Sequence, residues 1–170
     1  MRQLFSTIFI LFLCIAGRAQ TRSYQDNASK TFIIGLESYI YGTGGSLDFK
    51  AGNLPCTAQA ENGSVSVNGT LLENGSPDTV LGIHDFTGDG IPELVVARKT
   101  DGSVYATVYT LDQGRWVSIG RAGAKNAGEI RVFRQVISIR RGEALYSWTW
   151  HGKAFDFKAS DGSADPTPTL

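Results

Sequence analysis

The clearest pattern along the chain is a series of short apolar segments separated by turn-forming residues. From residue 79 onwards these segments are rich in β-branched and aromatic residues, with Gly, Asp and Asn between them. They read TVLGIHDF, PELVVARK, SVYATVYTL, RWVSIG, EIRVFRQVISIR, ALYSWTW and AFDFKAS. Several short strands at intervals of about ten residues are typical of an all-β domain. We therefore predict an all-β fold of antiparallel hairpins, with no amphipathic helix.

The turns of the first half are marked by three Asn-Gly pairs, which begin at Asn62, Asn68 and Asn74. Asn and Gly both tolerate positive φ, and this pair favours tight hairpin turns. The pieces SVSV and TLL between them are predicted to be short strands. Residues 31–41 (TFIIGLESYIY) are apolar and β-branched, and their periodicity fits either a strand or a short helix.

Three architectures fit these hairpins: a sandwich, a barrel or partial propeller-like blades. Residues 103–120 and 144–160 repeat one pattern of aromatics around a Gly turn, and Tyr105 and Tyr146 lie 41 residues apart, near a blade period. A closed propeller needs at least about four blades, and this length supplies about three. We predict one domain over residues 31–160, without a complete propeller. The flanking residues 20–30 and 161–170 are predicted to be a flexible leader and a flexible tail.

The first nineteen residues have the layout of a secretory signal peptide. A positively charged start precedes a nearly continuous apolar run over residues 4–16, and the small residues Gly17 and Ala19 follow. The run is shorter than the about 20 residues that a membrane-spanning helix needs. Cleavage after Ala19 is predicted, with release to the periplasm, the cell surface or the medium. No stable membrane insertion is expected afterwards.

Removing residues 1–19 changes the charge and the cysteine count. The remaining 151 residues carry 14 Lys and Arg against 16 Asp and Glu, a formal charge of −2. This balance argues against a nucleic-acid-binding surface. Cys14 leaves with the signal peptide, so Cys56 has no internal disulfide partner. Cys56 is either a buried small residue or pairs between chains.

One loop carries residues suited to metal binding, in the sequence DFTGDGIPE from Asp85 to Glu93. Oxygen-bearing side chains stand at loop positions 1, 3, 5 and 9, and a Gly at position 6 permits a sharp turn. Ca²⁺ prefers six to eight oxygen ligands, which alternate positions of a tight loop can supply. An EF-hand is excluded, because position 12 is Val96 where that loop needs Glu. The candidate ligands are the side chains of Asp85, Thr87, Asp89 and Glu93 and the backbone carbonyl of Ile91.

The stretch DFTGDGIPELVVA resembles the calcium loop of FG-GAP/VCBS-type repeats, whose pattern is D-x-[ND]-x-D-G-x-x-D-[LI]. The resemblance is a single copy over about residues 79–120, in which Thr87 replaces Asn or Asp and Glu93 replaces Asp. Such repeats form blades of extracellular β-propellers, so the resemblance implies a Ca²⁺ site between two strands. The alternative is a metal-free hairpin in which Asp85 and Asp89 cap turns by Asx-type hydrogen bonds.

Two further groups are candidates for ligand binding. In ALYSWTW the period of two places Tyr146, Trp148 and Trp150 on one strand face. This aromatic row is either a sugar-stacking platform or the inner face of the core, which is the commoner role. Arg residues are concentrated in residues 131–141 and are interpreted as a solvated strand face, with an anion site as the alternative.

Signatures of common enzyme classes are absent from the sequence. The leading hypothesis is an exported small β-domain with a structural Ca²⁺ loop, acting as a binding module for a glycan or another extracellular protein. The alternatives are a secreted hydrolase whose carboxylates the sequence does not locate, and an envelope protein without a ligand.

Overall fold

A computed structural model describes residues 31–167. This part of the chain consists of three β-sheets and contains no helix, so the prediction of an all-β fold is confirmed. None of the sheets closes into a barrel. The predicted signal peptide (1–19) and leader (20–30) lie outside the described residues, as do residues 168–170.

The described residues form fourteen strands. In chain order they are β1 (Ile33–Ile34), β2 (Ser38–Tyr41), β3 (Ser46–Ala51), β4 (Leu54–Glu61), β5 (Ser64–Val67), β6 (Thr70–Asn74), β7 (Thr79–His84), β8 (Glu93–Thr100), β9 (Ser103–Asp112), β10 (Arg115–Lys125), β11 (Ile130–Phe133), β12 (Val136–Arg141), β13 (Ala144–Trp150) and β14 (Phe155–Ala159).

Each sheet is built on a meander of four consecutive antiparallel strands. We call β3–β6 the N-terminal sheet, β10-β9-β8-β7-β2 the central sheet and β1-β11-β12-β13-β14 the C-terminal sheet. The early strands β2 and β1 extend the second and third meanders, and β1 pairs with β11 in parallel. A four-stranded meander is also the form of a propeller blade. The two similar hairpins seen in the sequence, β9–β10 and β13–β14, occupy the same place in consecutive meanders.

Two hydrophobic clusters show how the sheets stack. Val95 and Ala97 of β8 belong to a cluster with residues of the C-terminal sheet, whereas Leu94 and Val96 belong to one with residues of the N-terminal sheet. Successive residues of a strand point to opposite faces, so the central sheet is covered on both sides. This explains why β8 is an uninterrupted apolar run from Leu94 to Ala97 and does not alternate.

The outward faces of the two outer sheets are exposed to solvent and mostly polar. In β3 the buried residues Leu47, Phe49 and Ala51 alternate with exposed Ser46, Asp48 and Lys50. Strands of the C-terminal sheet alternate in the same way, as in β11, where Ile130 and Val132 are buried and Arg131 and Phe133 are exposed. The stack therefore has an apolar interior of two layers and a solvated face at each end.

The Asn-Gly turns are confirmed in two of three cases. Asn62 and Gly63 have φ values of 50° and 75°, and Asn68 and Gly69 have 48° and 78°. Positive φ at both central residues is the requirement of a type I′ hairpin. The third prediction is wrong, because Asn74 ends β6 and the N–H of Gly75 donates to the carbonyl of Gly63 at 2.7 Å. This hydrogen bond to the β4–β5 turn continues the pairing of β6 beyond Asn74, so the chain does not form a hairpin turn there.

Two segment boundaries also differ from the sequence prediction. EIRVFRQVISIR is two strands, β11 and β12, joined by a turn in which Arg134 has a φ of 52°. Residues 31–41 form β1 and β2 and no helix, and the chain bends between them at Gly35, where φ is 97°. A Cβ at Gly35 would lie 1.9 Å from the carbonyl oxygen of Val132, so a long-range contact decides this bend.

A buried ion pair joins the edge of the N-terminal sheet to the central sheet. Nη2 of Arg98 lies 3.1 Å from Oε1 of Glu73, and the Tyr109 hydroxyl donates to Oε2 of Glu73 at 2.6 Å. Burial, followed by the hydrogen bond to Glu73, raises the pKa of Tyr109. Removing one partner would leave the other as an unpaired buried charge, so this ion pair favours the contact of β6 with β8.

Candidate functional site

The Asp-Gly loop connects β7 to β8 and turns at the end of the central sheet. Its ends are fixed by strand pairing, in which His84 is the direct cross-strand partner of Glu93. Within the loop, Asp85 and Thr87 are half-buried, whereas Asp89 and Ile91 are exposed. Short buried strands on both sides thus hold these four candidate ligands at or near the surface.

Asp85 organises the first half of the loop. Its Oδ1 accepts hydrogen bonds from the N–H of Gly88 at 2.7 Å and from the Thr87 hydroxyl at 3.4 Å. Its Oδ2 accepts from the N–H of Gly90 at 2.9 Å. These side-chain-to-backbone bonds satisfy amides that no strand partner reaches, and they fold the loop tightly.

Asp89 makes fewer contacts. Its Oδ1 accepts from the N–H of Ile91 at 2.8 Å, an Asx-type turn. The bonds of Asp85 and Asp89 are those expected for the metal-free alternative. Each carboxylate oxygen has a second lone pair, so one accepted hydrogen bond does not prevent an oxygen from also contacting a cation.

Glu93 points into the protein, unlike the other candidate ligands. It is only 2% exposed, and its Oε2 accepts from the N–H groups of Phe86 at 2.8 Å and Thr87 at 3.3 Å. Burial raises the pKa of Glu93, and the charges of Asp85 and Asp89 raise it further against the opposing effect of the two amides. The buried carboxylate of Glu93 therefore holds the backbone of the loop at Phe86 and Thr87.

The donor chemistry of the loop fits Ca²⁺. Carboxylate, hydroxyl and carbonyl oxygens are the ligands that this ion takes. Within residues 31–167, however, no group of three or more His, Cys, Asp or Glu side chains converges closely enough to form a metal site. The side chains of Asp85 and Asp89 are engaged with the loop backbone and Glu93 with the core, so the Ca²⁺ site stays a prediction.

The loop is tied to both neighbouring structural elements. A ring nitrogen of His84, Nε2, lies 2.6 Å from the carbonyl oxygen of Arg134 in the β11–β12 turn. On the other side, the N–H of Asp85 donates to Oε1 of Glu37, in the link between β1 and β2, at 3.0 Å. Phe86 is fully buried and packs edge-on against Phe155 of β14, with ring centroids 5.5 Å apart. A change in the loop would therefore reach the contact between the central and C-terminal sheets.

The aromatic row of β13 lies in the core. Tyr146, Trp148 and Trp150 are at most 8% exposed, and the first two belong to the cluster between the central and C-terminal sheets. Phe157 of β14 packs against Trp148 with ring centroids 5.2 Å apart. The alternation thus marks the inner face of the sheet, and these rings offer a sugar no exposed surface in this structure.

The chain after β14 returns to this core. The indole N–H of Trp148 donates to Oδ2 of Asp165 at 3.1 Å, and Oδ1 of Asp165 accepts from Thr167. Asp165, within the predicted flexible tail, is therefore in contact with the domain, and residues 168–170 lie outside the described part. Cys56 is also buried, at 3% exposure, in the second cluster, where burial raises the pKa of its thiol.

Neither histidine of the described chain is paired with a nucleophile. His84 contacts a backbone carbonyl and lies 3.6 Å from Oε1 of Glu37, and the exposed His151 lies 3.8 Å from Oδ2 of Asp156. A nucleophile-and-base pair requires a hydroxyl or thiol within hydrogen-bond reach of the base.

The residues from 31 to 167 contain no helix that is long and apolar enough to cross a bilayer.

Comparison of the chain with known proteins found no match. The FG-GAP/VCBS resemblance therefore rests on the residues of the loop and stays a prediction. No family model, curated protein or solved structure matches the chain.

Proposed function

We propose that this chain is an exported binding module whose Asp-Gly loop holds a structural Ca²⁺. Its ligand is a glycan or another extracellular protein, contacted by the polar surface of the stacked sheets. The proposal combines the signal-like residues 1–19 with a fold in which buried strands hold an acidic loop at the surface. It assigns the loop a stabilising role and no catalytic one.

The observation that carries the metal proposal is the charge inside one loop. Asp85, Asp89 and Glu93 lie within nine residues; burial is the main cause that raises the pKa of Glu93, and the charges of Asp85 and Asp89 raise it further. A divalent cation would remove this repulsion. Asp85, Thr87 and Asp89, with the carbonyl of Ile91, would hold the ion, and Glu93 would keep the loop backbone in place from below.

The location of the loop explains what such an ion would stabilise. His84 and Phe86 connect the loop to the C-terminal sheet, and Glu37 connects it to the chain leading into β2. Order in the loop is therefore coupled to the packing of two sheets. Extracellular modules bind Ca²⁺ with dissociation constants of about 10⁻⁴ to 10⁻³ M, which suits a loop with two exposed or half-exposed carboxylates.

Thermal unfolding in Ca²⁺ and in EDTA tests the metal. The proposal expects a higher Tm in Ca²⁺ for the wild-type chain and no difference for Asp85→Asn/Asp89→Asn. Asp112→Asn, an exposed carboxylate on another turn, is the matched control and should keep the response. An unchanged wild-type Tm would refute the Ca²⁺ site.

A glycan array tests the binding role separately. The proposal expects at least one glycan class, or else one protein partner in a pull-down from extracellular material, to be retained specifically. Absence of any glycan ligand together with absence of any protein partner would leave the ligand-free structural alternative.

A further inference from the structure

The outer face of the C-terminal sheet concentrates positive charge. Arg131 of β11 lies opposite Ser138 of β12, which lies opposite Ser147 of β13, which lies opposite Lys158 of β14. Direct cross-strand partners share one face, so these four residues form a row across the sheet. Three strand spacings of about 4.8 Å make the row about 14 Å long. Arg140, two residues after Ser138, lies on the same face.

This charge is local to one end of the stack. Residues 129–167 contain six Lys and Arg against five Asp and Glu, whereas residues 31–128 contain six against ten. On the face itself, Glu129 and Asp156 stand among the cations. The result is a surface with a few separated positive groups, which matches a ligand that carries separated negative groups.

Arg131 and Arg140 line a cavity of about 250 Å³, with Glu129, Ser138 and Leu145. The side chain of Ser138 is small, and its hydroxyl donates to the carbonyl of Arg131 at 3.5 Å. Ser138 therefore leaves space between the two longer arginine side chains. The volume is below the roughly 300–1,000 Å³ of pockets for drug-sized ligands. It therefore suits one small charged unit of a longer ligand.

The two arginines have donors to spare. Nε of Arg131 donates to Oε1 of Glu129 at 2.6 Å, which leaves the N–H groups of its two terminal nitrogens. Arg140 forms no salt bridge with any residue between 31 and 167. Guanidinium groups bind planar carboxylates through paired hydrogen bonds. Glu129 lines the same cavity and occupies Nε of Arg131, so a ligand carboxylate would bind the terminal nitrogens of Arg131 and the guanidinium of Arg140.

An apolar wall completes the cavity. Leu145 is 39% exposed and is the direct cross-strand partner of Arg140. Phe133, on the same face of β11 as Arg131, is 70% exposed and lies outside the cavity, with the guanidinium of Arg134 over its ring. A sugar ring with a carboxylate has one charged edge and apolar C–H faces, which this combination of arginines and exposed apolar side chains complements.

We propose that the outer face of the C-terminal sheet binds an acidic polysaccharide, with one uronic acid unit in the cavity between Arg131 and Arg140. This rests on the proposed function and names the ligand class and its surface. The row of about 14 Å across the sheet suits an extended polymer. Nucleic acid carries about one charge per 1.7 Å of duplex, a denser array of charge than these separated cations complement, and fits less well.

Titration with polyglucuronic acid tests the proposal, with dextran as the neutral polysaccharide and polyglutamate as the acidic polypeptide. The wild-type chain should bind polyglucuronic acid and neither of the others. Arg131→Gln/Arg140→Gln should weaken this binding at least about tenfold, because two charge-assisted contacts are lost. Arg115→Gln removes an exposed arginine of the central sheet and should bind as the wild type does.

Leu145→Ser separates sugar recognition from charge alone. It should weaken polyglucuronic acid binding without changing the net charge, and circular dichroism should show an intact fold for every variant. Equal binding of polyglutamate, unchanged binding in the double variant or no binding of polyglucuronic acid would each overturn this assignment. A positive glycan array with unchanged binding in the double variant would retain the module and reject this face, whereas an array and a pull-down without ligand would reject the module itself.

Discussion

The Asp-Gly loop and strand β13 carry the two most distinctive side-chain patterns of the chain, and the fold treats them in opposite ways. Asp89 and Ile91 remain exposed at the tip of the loop, whereas Tyr146, Trp148 and Trp150 are at most 8% exposed. Burying aromatic rings stabilises the domain, while burying carboxylates without partners costs free energy. Glu93 is the exception: its carboxylate is buried, and it accepts hydrogen bonds from two backbone amides.

The largest expected effect comes from β13. Trp148→Ala should lower the free energy of unfolding by about 3–5 kcal/mol, because it leaves a cavity between the central and C-terminal sheets. Phe133→Ala, at a side chain that is 70% exposed, should change it by less than about 0.5 kcal/mol. Urea unfolding measures both. Equal losses would contradict the assignment of Trp148 to the core.

A smaller effect separates the two aspartates of the loop. In EDTA, Asp85→Ala should cost about 2 kcal/mol, because Asp85 accepts three hydrogen bonds in the loop. Asp89→Ala should cost less than half of that, because Asp89 accepts one. Thermal unfolding of both variants in EDTA measures the difference, and the reverse order would contradict this account of the loop.

The smallest effect concerns the pH dependence of stability. The pKa of Glu93 is raised above its ordinary 4.5 in the folded protein, so the folded state binds its proton more tightly than the unfolded state does. Its contribution to stability therefore falls as the pH rises from about 4.5 through the raised pKa, by at most about 1.4 kcal/mol per pH unit.

Glu93→Gln removes this titration. The difference in unfolding free energy between Glu93→Gln and wild type, measured by urea unfolding in EDTA across this pH range, should shift in favour of the variant as the pH rises. A pH-independent difference between Glu93→Gln and wild type would contradict the raised pKa.

Local signals in the sequence predict much of the fold. The positive φ values at Asn62, Asn68 and Asp101 fall where Asn-Gly and Asp-Gly pairs mark hairpins. The turn at Arg134 was missed because no Gly or Asn marks it, and the bend at Gly35 depends on the approach of Val132 from a distant strand. Such long-range contacts have no local signature.

The candidate site was predicted less completely for a similar reason. Alternation places Trp148 and Trp150 on one face but does not say which face is covered. The spacing of the Asp-Gly loop marks Glu93 as an oxygen donor, but its inward direction follows from its pairing opposite His84 at the start of β8. The outer row beginning at Arg131 appears only when the register of four strands is known.

Titration calorimetry with Ca²⁺ tests the proposed role of the loop most directly. The account predicts binding of one Ca²⁺ with a dissociation constant of about 10⁻⁴ to 10⁻³ M for the wild-type chain, and loss of that binding in Asp89→Asn with the fold retained. Absence of binding at millimolar Ca²⁺, or equal binding by the wild type and Asp89→Asn, would contradict it.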